Sequence, residues 1–196
     1  MELRLGSPED GPGIRAIYAP IVAETVTSFE VEVPSAEEMG ARVAGKWPAH
    51  PWLVAEDGGT ILGYAYGGRF SGRAAYDWSA EVSLYVHPDA RRSGVGRRLY
   101  AGLFALLRAQ GYAQAYAGIT LPNDPSVRIH EALGFVPVGV YRSVGWKFGA
   151  WHDVGWWQRP LRPAGEADAP AGPIRPLDAF APAEVADALA HAHADR

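Results

Sequence analysis

Apolar positions change their spacing several times along the chain, and each change marks a new element. Residues 3–5 read as a short strand. After Ser7, the positions Ile14, Ile17, Tyr18 and Ile21 recur every three or four residues, which predicts an amphipathic helix beginning at Ser7 or Asp10. A second helix is predicted from Ser35, with Glu38 three residues on at the capping-box spacing. The period then drops to two. WLVAE and TILGYAYGG flank Asp57, Gly58 and Gly59, and glycines there supply the positive φ of a tight hairpin. In YDWSAEVSLYV, Trp78, Ala80, Val82, Leu84 and Val86 fall on one face, and Ser79, Glu81, Ser83 and Tyr85 on the other.

A turn at Pro88 and a glycine-bearing loop lead into a helix with Val95, Leu99, Leu103, Leu106 and Leu107 on one side, ended by Gly111. YAQAYAGI follows as a strand. NDPSVRIHEALGF predicts a short helix with Asp124 as cap, Pro125 in the first turn and Gly134 past the end. FVPVGVYR and WHDVGWWQR close as strands. Six prolines in the 23 residues 160–182 suit neither a sheet interior nor a helix, so this stretch is read as a linker, on the surface or disordered, before a weak terminal helix in AEVADALAH. The order β, α, α, three-stranded meander, α, β, α, β, β predicts an α/β fold, a mixed sheet covered by helices.

Composition narrows this to one domain. With 196 residues, 48% hydrophobic, the chain supports one substantial core over residues 1–160, with 161–196 a Pro/Ala-rich extension. A net charge of -4 gives no overall field toward nucleic acid or an anionic membrane, so any anion site must be local. The absence of cysteine excludes disulfides, thiolate metal clusters and a cysteine nucleophile. No apolar run approaches the ~20 residues of a membrane helix and the N-terminus lacks a secretion signal, so a soluble, cytoplasmic protein is expected.

The chemistry begins at Val86 to Gly111. Glycines between a strand and a helix let the backbone approach a bulky anion, while the free N–H groups of the helix's first turn and its dipole favour negative charge. A kinase-type loop would need a lysine after its second glycine, but Lys46 and Lys147 are the only lysines and neither is near Gly94. A dinucleotide loop would want a third glycine where Leu99 stands. What remains is Arg91-x-x-Gly94-x-Gly96 after an alternating strand.

Here the sequence resembles the GCN5-related N-acetyltransferases, whose Gln/Arg-x-x-Gly-x-Gly/Ala loop lies between the fourth strand and the third helix. The likeness covers the motif, the order of elements and about residues 1–160. YDWSAEVSLYV, LPNDPSVRIHEALGF and WHDVGWWQR further resemble the phosphinothricin acetyltransferase branch. The resemblance implies a sheet of about seven strands with about four helices. It also implies acetyl-CoA as donor, with its diphosphate held by main-chain amides of Arg91, Arg92, Ser93, Gly94, Val95, Gly96 and Arg97. Asn123 and Ser126 would touch the coenzyme arm, and an amide among Leu84, Tyr85 and Val86 would polarise the thioester.

Acetyl transfer to an amine needs a neutral amine and a proton for the departing thiolate. Glu81 is the expected base, placed among polar strand positions and matched by a glutamate in the related branch; otherwise it would pair with an arginine. His130, which the resemblance puts where many acetyltransferases carry a tyrosine acid, is the second expected catalytic residue. Tyr85 is a weaker claimant, suited to core packing. The absence of cysteine and of a Gly-x-Ser-x-Gly elbow points to direct attack in a ternary complex.

For the acceptor, the resemblance implies Arg73 and Tyr76 as binding residues with Phe29 as an aromatic wall, and Glu81, His130 and Arg73 near one another. An arginine fork suits a carboxylate or phosphinate. Ser71 stands where a basic residue is usual in the herbicide-resistance enzymes. The expected acceptor is the α-amine of a small amino acid or analogue of phosphinothricin or methionine sulfoximine type. A polyamine, an antibiotic or a protein N-terminus, or acyl-CoA sensing without transfer, are the alternatives. The branch commonly forms homodimers, and four tryptophans between Trp146 and Trp157 suit core and dimer packing. His152 and Asp153 are expected to stabilise structure or touch the acceptor. His191 and His193 are too few for a metal site, and none is expected.

Overall fold

The computed structural model describes residues 1–162 and 172–191; His193, residues 163–171 of the linker stretch and the side chain of His191 lie outside that description. Seven strands form one sheet in the order β1-β2-β3-β4-β5-β7-β6. They are β1 (Glu2–Leu5), β2 (Trp52–Asp57), β3 (Thr60–Arg69), β4 (Ser79–Val86), β5 (Gln114–Leu121), β6 (Val136–Lys147) and β7 (Ala150–Pro160). Every pairing is antiparallel except β4 with β5. The helices are α1 (Gly11–Glu24), α2 (Ala36–Lys46), α3 (Val95–Gln110), α4 (Asp124–Ala132) and α5 (Pro182–His191).

The strand alternation decides which helix covers which face. Ala80 and Val82 of β4 are buried in one cluster with Leu99, Leu103 and Leu107 of α3. Tyr85, on the other parity, packs into a second cluster with Ile14 and Ile17 of α1, Met39 and Val43 of α2, and Trp52 and Tyr64 of the sheet. So α3 and α4 lie on one face and α1 and α2 on the other. Tyr85 meets Tyr18 edge-on at 5.2 Å and stacks on Tyr64 at 5.1 Å, which makes it a packing residue.

Local signals set the ends. Ser35 and Glu38 form the expected capping box on α2. Gly111 ends α3 in the left-handed conformation, φ 104°. On α4 the cap is Asn123, whose side-chain oxygen accepts from the Ser126 amide, and Asp124 becomes the first helical residue instead.

The stretch before α5 differs more from expectation. Leu177 is 2% exposed and joins the core beside α3. Its amide donates to the Pro48 carbonyl, and the Gln110 side-chain amide donates to the carbonyls of Ala49 and Arg175. α5 packs on α3 through Leu189, over Gly102. The tryptophans divide: Trp157 is buried, whereas Trp146 and Trp151 are more than half exposed and meet each other at 5.3 Å. No helix among the described residues is long and apolar enough to cross a membrane.

Candidate active site

β4 and β5 are in register only at Ser79, Ala80 and Glu81, opposite Gln114, Ala115 and Tyr116. Beyond Glu81 the two strands part, which opens a fork in the sheet. Its β4 side can be read from the ladder with β3. His87 donates its amide to the Leu62 carbonyl at 2.8 Å. Hydrogen-bonded pairs alternate in an antiparallel ladder, so Tyr85, Ser83 and Glu81 exchange bonds with β3, and the amides of Leu84 and Val86 turn toward the fork. An opened pair of parallel strands thus presents donors to whatever lies between them.

The glycine loop closes the same end of β4. Arg92 (φ 61°) and Gly94 (φ 88°) are both left-handed, which coils the chain so that its amides converge ahead of α3. A Cβ on Gly94 would meet nothing within 4 Å, so the approach to the loop is unobstructed at that point. Gly96 serves a different purpose. Its Cβ would sit 3.0 Å from Ile129 and 3.2 Å from Leu84, so glycine lets α4 and β4 close on the start of α3. The first bond within α3 runs from the Arg98 amide to the Gly94 carbonyl, so the preceding amides of Val95, Gly96 and Arg97 have no partner in their own helix. Arg91 and Arg92 are exposed at the rim, and the Ser93 hydroxyl donates to the Ala90 carbonyl at 2.6 Å. Converging amides, a helix N-terminus and two exposed guanidiniums fit a diphosphate.

Glu81 stands at the vertex of the fork, on the α1/α2 face. Burial raises its carboxyl pKa above the ordinary value, with the Lys46 ammonium opposing. The burial effect prevails and suits a base for an ammonium, since a raised pKa makes a carboxylate a better proton acceptor. Sequence reasoning missed Lys46. It lies in the last turn of α2, 5.4 Å from the Tyr66 ring centroid, and burial lowers its pKa against the pull of Glu81.

His130 is 5% exposed on the other face. Its Nδ1–H donates to the Ser126 carbonyl at 2.7 Å, which leaves Nε2 as the acceptor for the Tyr100 hydroxyl at 2.9 Å. Burial lowers its pKa, the Ser126 bond opposing, so the neutral ring is favoured. Asn123 and Ser126 are thereby tied into capping α4 and holding His130.

Glu81, His130 and Arg73 are carried by three different elements: β4, α4 and the loop between β3 and β4. Glu81 and His130 project from opposite faces, and Arg73 is exposed on the loop between β3 and β4. That loop nevertheless reaches the fork through aromatic rings. Tyr76 meets Phe70 at 5.8 Å, and Phe70 stacks at 4.3 Å on Tyr116, the residue paired with Glu81. Phe29 belongs to a second wall. It lies 6.3 Å from His152 and against Gly145, where a Cβ would overlap its ring.

Phe29 is seated by Lys147, another residue without a sequence signal. Lys147 is 4% exposed, and its Nζ donates to the carbonyls of Val22 and Ser28, each at 2.7 Å. His152 donates to the Lys147 carbonyl, and Asp153 accepts from the Ser143 amide and from Arg142. Both therefore fix the β6–β7 hairpin.

Comparison with known proteins bears on this arrangement. A family model described as Acetyltransferase (GNAT) family matches residues 21–135. The chain is 39% identical to phosphinothricin N-acetyltransferase of Streptomyces viridochromogenes over 90% of its length and 94% of that protein's. It is 31% identical to the L-methionine sulfoximine/L-methionine sulfone acetyltransferase of Salmonella typhimurium, over 86% and 99%. Among solved structures, a phosphinothricin acetyltransferase from Sinorhizobium meliloti in complex with AcCoA superposes with a TM-score of 0.78 at 34% identity, covering 92% of this chain and 95% of that one.

Proposed function

The chain belongs to the GNAT acetyltransferase family, and on that premise we propose that it moves the acetyl group of acetyl-CoA to the α-amine of a small amino acid or analogue. Phosphinothricin and methionine sulfoximine, the acceptors in its relatives' names, are the first to try. The carrying observation is the fork itself, with phosphate-compatible amides at its mouth, two inward amides along β4 and a half-buried carboxylate at its vertex.

Acetyl-CoA supplies the activated acyl group; the chain supplies placement and proton handling. Amides of Val95, Gly96 and Arg97, with Arg91, Arg92, Ser93 and Gly94, hold the diphosphate. The Leu84 or Val86 amide bonds the thioester oxygen where negative charge develops. Glu81 takes the proton of the acceptor ammonium, directly or through a water. The amine nitrogen bonds the acyl carbon, the carbon–sulfur bond breaks, and the proton the nitrogen then sheds balances the one the departing sulfur takes up. Arg73, Tyr76 and Phe29 wall the acceptor. His130 enters as a positioning residue, because its two bonds fix Tyr100 and the first turn of α4 beside the loop. Orientation of two bound reactants is worth up to ~7–11 kcal/mol of barrier.

We read the active form as a cytoplasmic homodimer. β6 is one of the two edges of the sheet, opposite β1, and exposes Val138, Val140, Tyr141, Val144 and Trp146, and a second copy brings an identical edge to pair with it.

The decisive test is Glu81→Gln, assayed by thiol release. Turnover falls by ~10² to 10⁴ while the KM for acetyl-CoA holds; unchanged turnover removes Glu81 as base.

A further inference from the structure

Lys46 is a half-buried ammonium on the acceptor side of the sheet. Its Nζ lies 2.8 Å from the point a Cβ on Gly68 would take, and the Glu81 carbonyl oxygen is 3.9 Å from that same point. Gly68 is the β3 residue paired with Glu81, so the lysine stretches over the one position in β3 that leaves room beside the base. Among the described residues no carboxylate comes within 4 Å of Nζ, although Glu81 is close enough for each charge to act on the other.

A cation and an anion that share a half-buried cleft without closing into an ion pair present two separate charges to a ligand. A free α-amino acid is the complement, with ammonium and carboxylate on one carbon. Glu81 already has the amine as its partner in the acyl-transfer reading.

We propose that Lys46 receives the α-carboxylate of the acceptor while Glu81 receives its amine, so that the pair selects free α-amino acids over simple amines and over peptide-like amides. This rests on the acyl-transfer reading above. Arg73 remains available for the acceptor's side-chain end. Lys46 is thus a specificity-determining residue: it orients the acceptor and carries no proton in the reaction.

The test compares L-methionine sulfoximine with its carboxamide at saturating acetyl-CoA, each variant being referred to wild type on the same acceptor, so that differences in amine basicity cancel. Lys46→Met lowers kcat/KM for the amino acid by roughly 10- to 100-fold, the loss of one charge-assisted hydrogen bond. It changes the carboxamide by no more than roughly threefold. Lys46→Arg recovers most of the loss. Gly68→Ala, whose Cβ displaces Nζ while keeping the charge, falls between. Unaltered thermal midpoints and acetyl-CoA KM check folding, and if Lys46→Met is unfolded, Gly68→Ala and Lys46→Arg carry the comparison. An equal loss on both acceptors, or none on either, overturns the assignment of Lys46 while leaving acyl transfer intact. A wild type inert toward every amino acid overturns the underlying reading and this one with it.

Discussion

Lys147→Met tests how the acceptor wall is held. The lysine Nζ gives two short bonds to main-chain carbonyls, one in the last turn of α1 and one beside Phe29. Methionine fills similar space and strands both oxygens. Each charge-assisted bond is worth ~1.5–3 kcal/mol, and relief from burying an ammonium returns part of that, so a net loss of ~2–4 kcal/mol follows. For a chain of this size 1 kcal/mol shifts Tm by ~2–4 °C, so differential scanning calorimetry reads a fall of about 5–15 °C. The functional effect is lopsided. Residues 22–29 lose their tie to β6, Phe29 loses its seat, and the KM for the amino-acid acceptor rises. The glycine loop is built from other elements, so the KM for acetyl-CoA stays. A Tm within about 1 °C of wild type, or both KM values rising together, would refute this account.

Gly94→Ala places a side chain at φ 88°, a strain of ~1–2 kcal/mol that the loop relieves by turning its amides; acetyl-CoA KM rises several-fold with acceptor KM unchanged, as two-substrate kinetics would read. Tyr141→Lys with Val138→Glu puts charges on the β6 edge and yields monomer by light scattering; a wild type that is already monomeric defeats the dimer reading. Acid should destabilise the protein in a defined window. Burial, with Lys46 and Arg69 adding to it, brings His50 down from 6.5 to about 4, and burial lowers His130 as well. As pH falls below 6.5 the unfolded chain binds protons that the folded chain refuses, so stability is full above 6.5 and declines toward 4. His50→Gln flattens that decline in urea titrations; an unchanged slope counts against the buried, neutral ring.

Elements governed by local rules were legible in the sequence. The capping box at Ser35, the Asp57 to Gly59 hairpin, the Gly111 terminus and the glycine loop each depend on a few adjacent residues, and all fold as read. The cap of α4 was misassigned because Asn123 and Asp124 are chemically alike, and only backbone geometry chooses between them. What escaped depends on distance. The parting of β4 from β5 is a property of two strands together and leaves no periodicity in either. Lys147 bonds carbonyls 119 and 125 residues away, and a main-chain acceptor has no side-chain signature. Leu177 sits in a proline-rich stretch whose composition argues for solvent, yet that leucine, Ile174 and the bonds between Gln110 and Arg175 hold it beside α3.

The placing of the two lysines has a consequence for chemical modification. Of 18 basic side chains only Lys46 and Lys147 carry a primary amine; burial lowers the pKa of both, and the terminal amine is engaged by Asp57 at 2.8 Å. Arginine stays protonated and does not acylate, and a lowered pKa makes a lysine more nucleophilic, so protection from stray acylation rests on burial, near complete at Lys147 and partial at Lys46. An amine-directed reagent would consequently report on the neighbourhood of Glu81 and on little else.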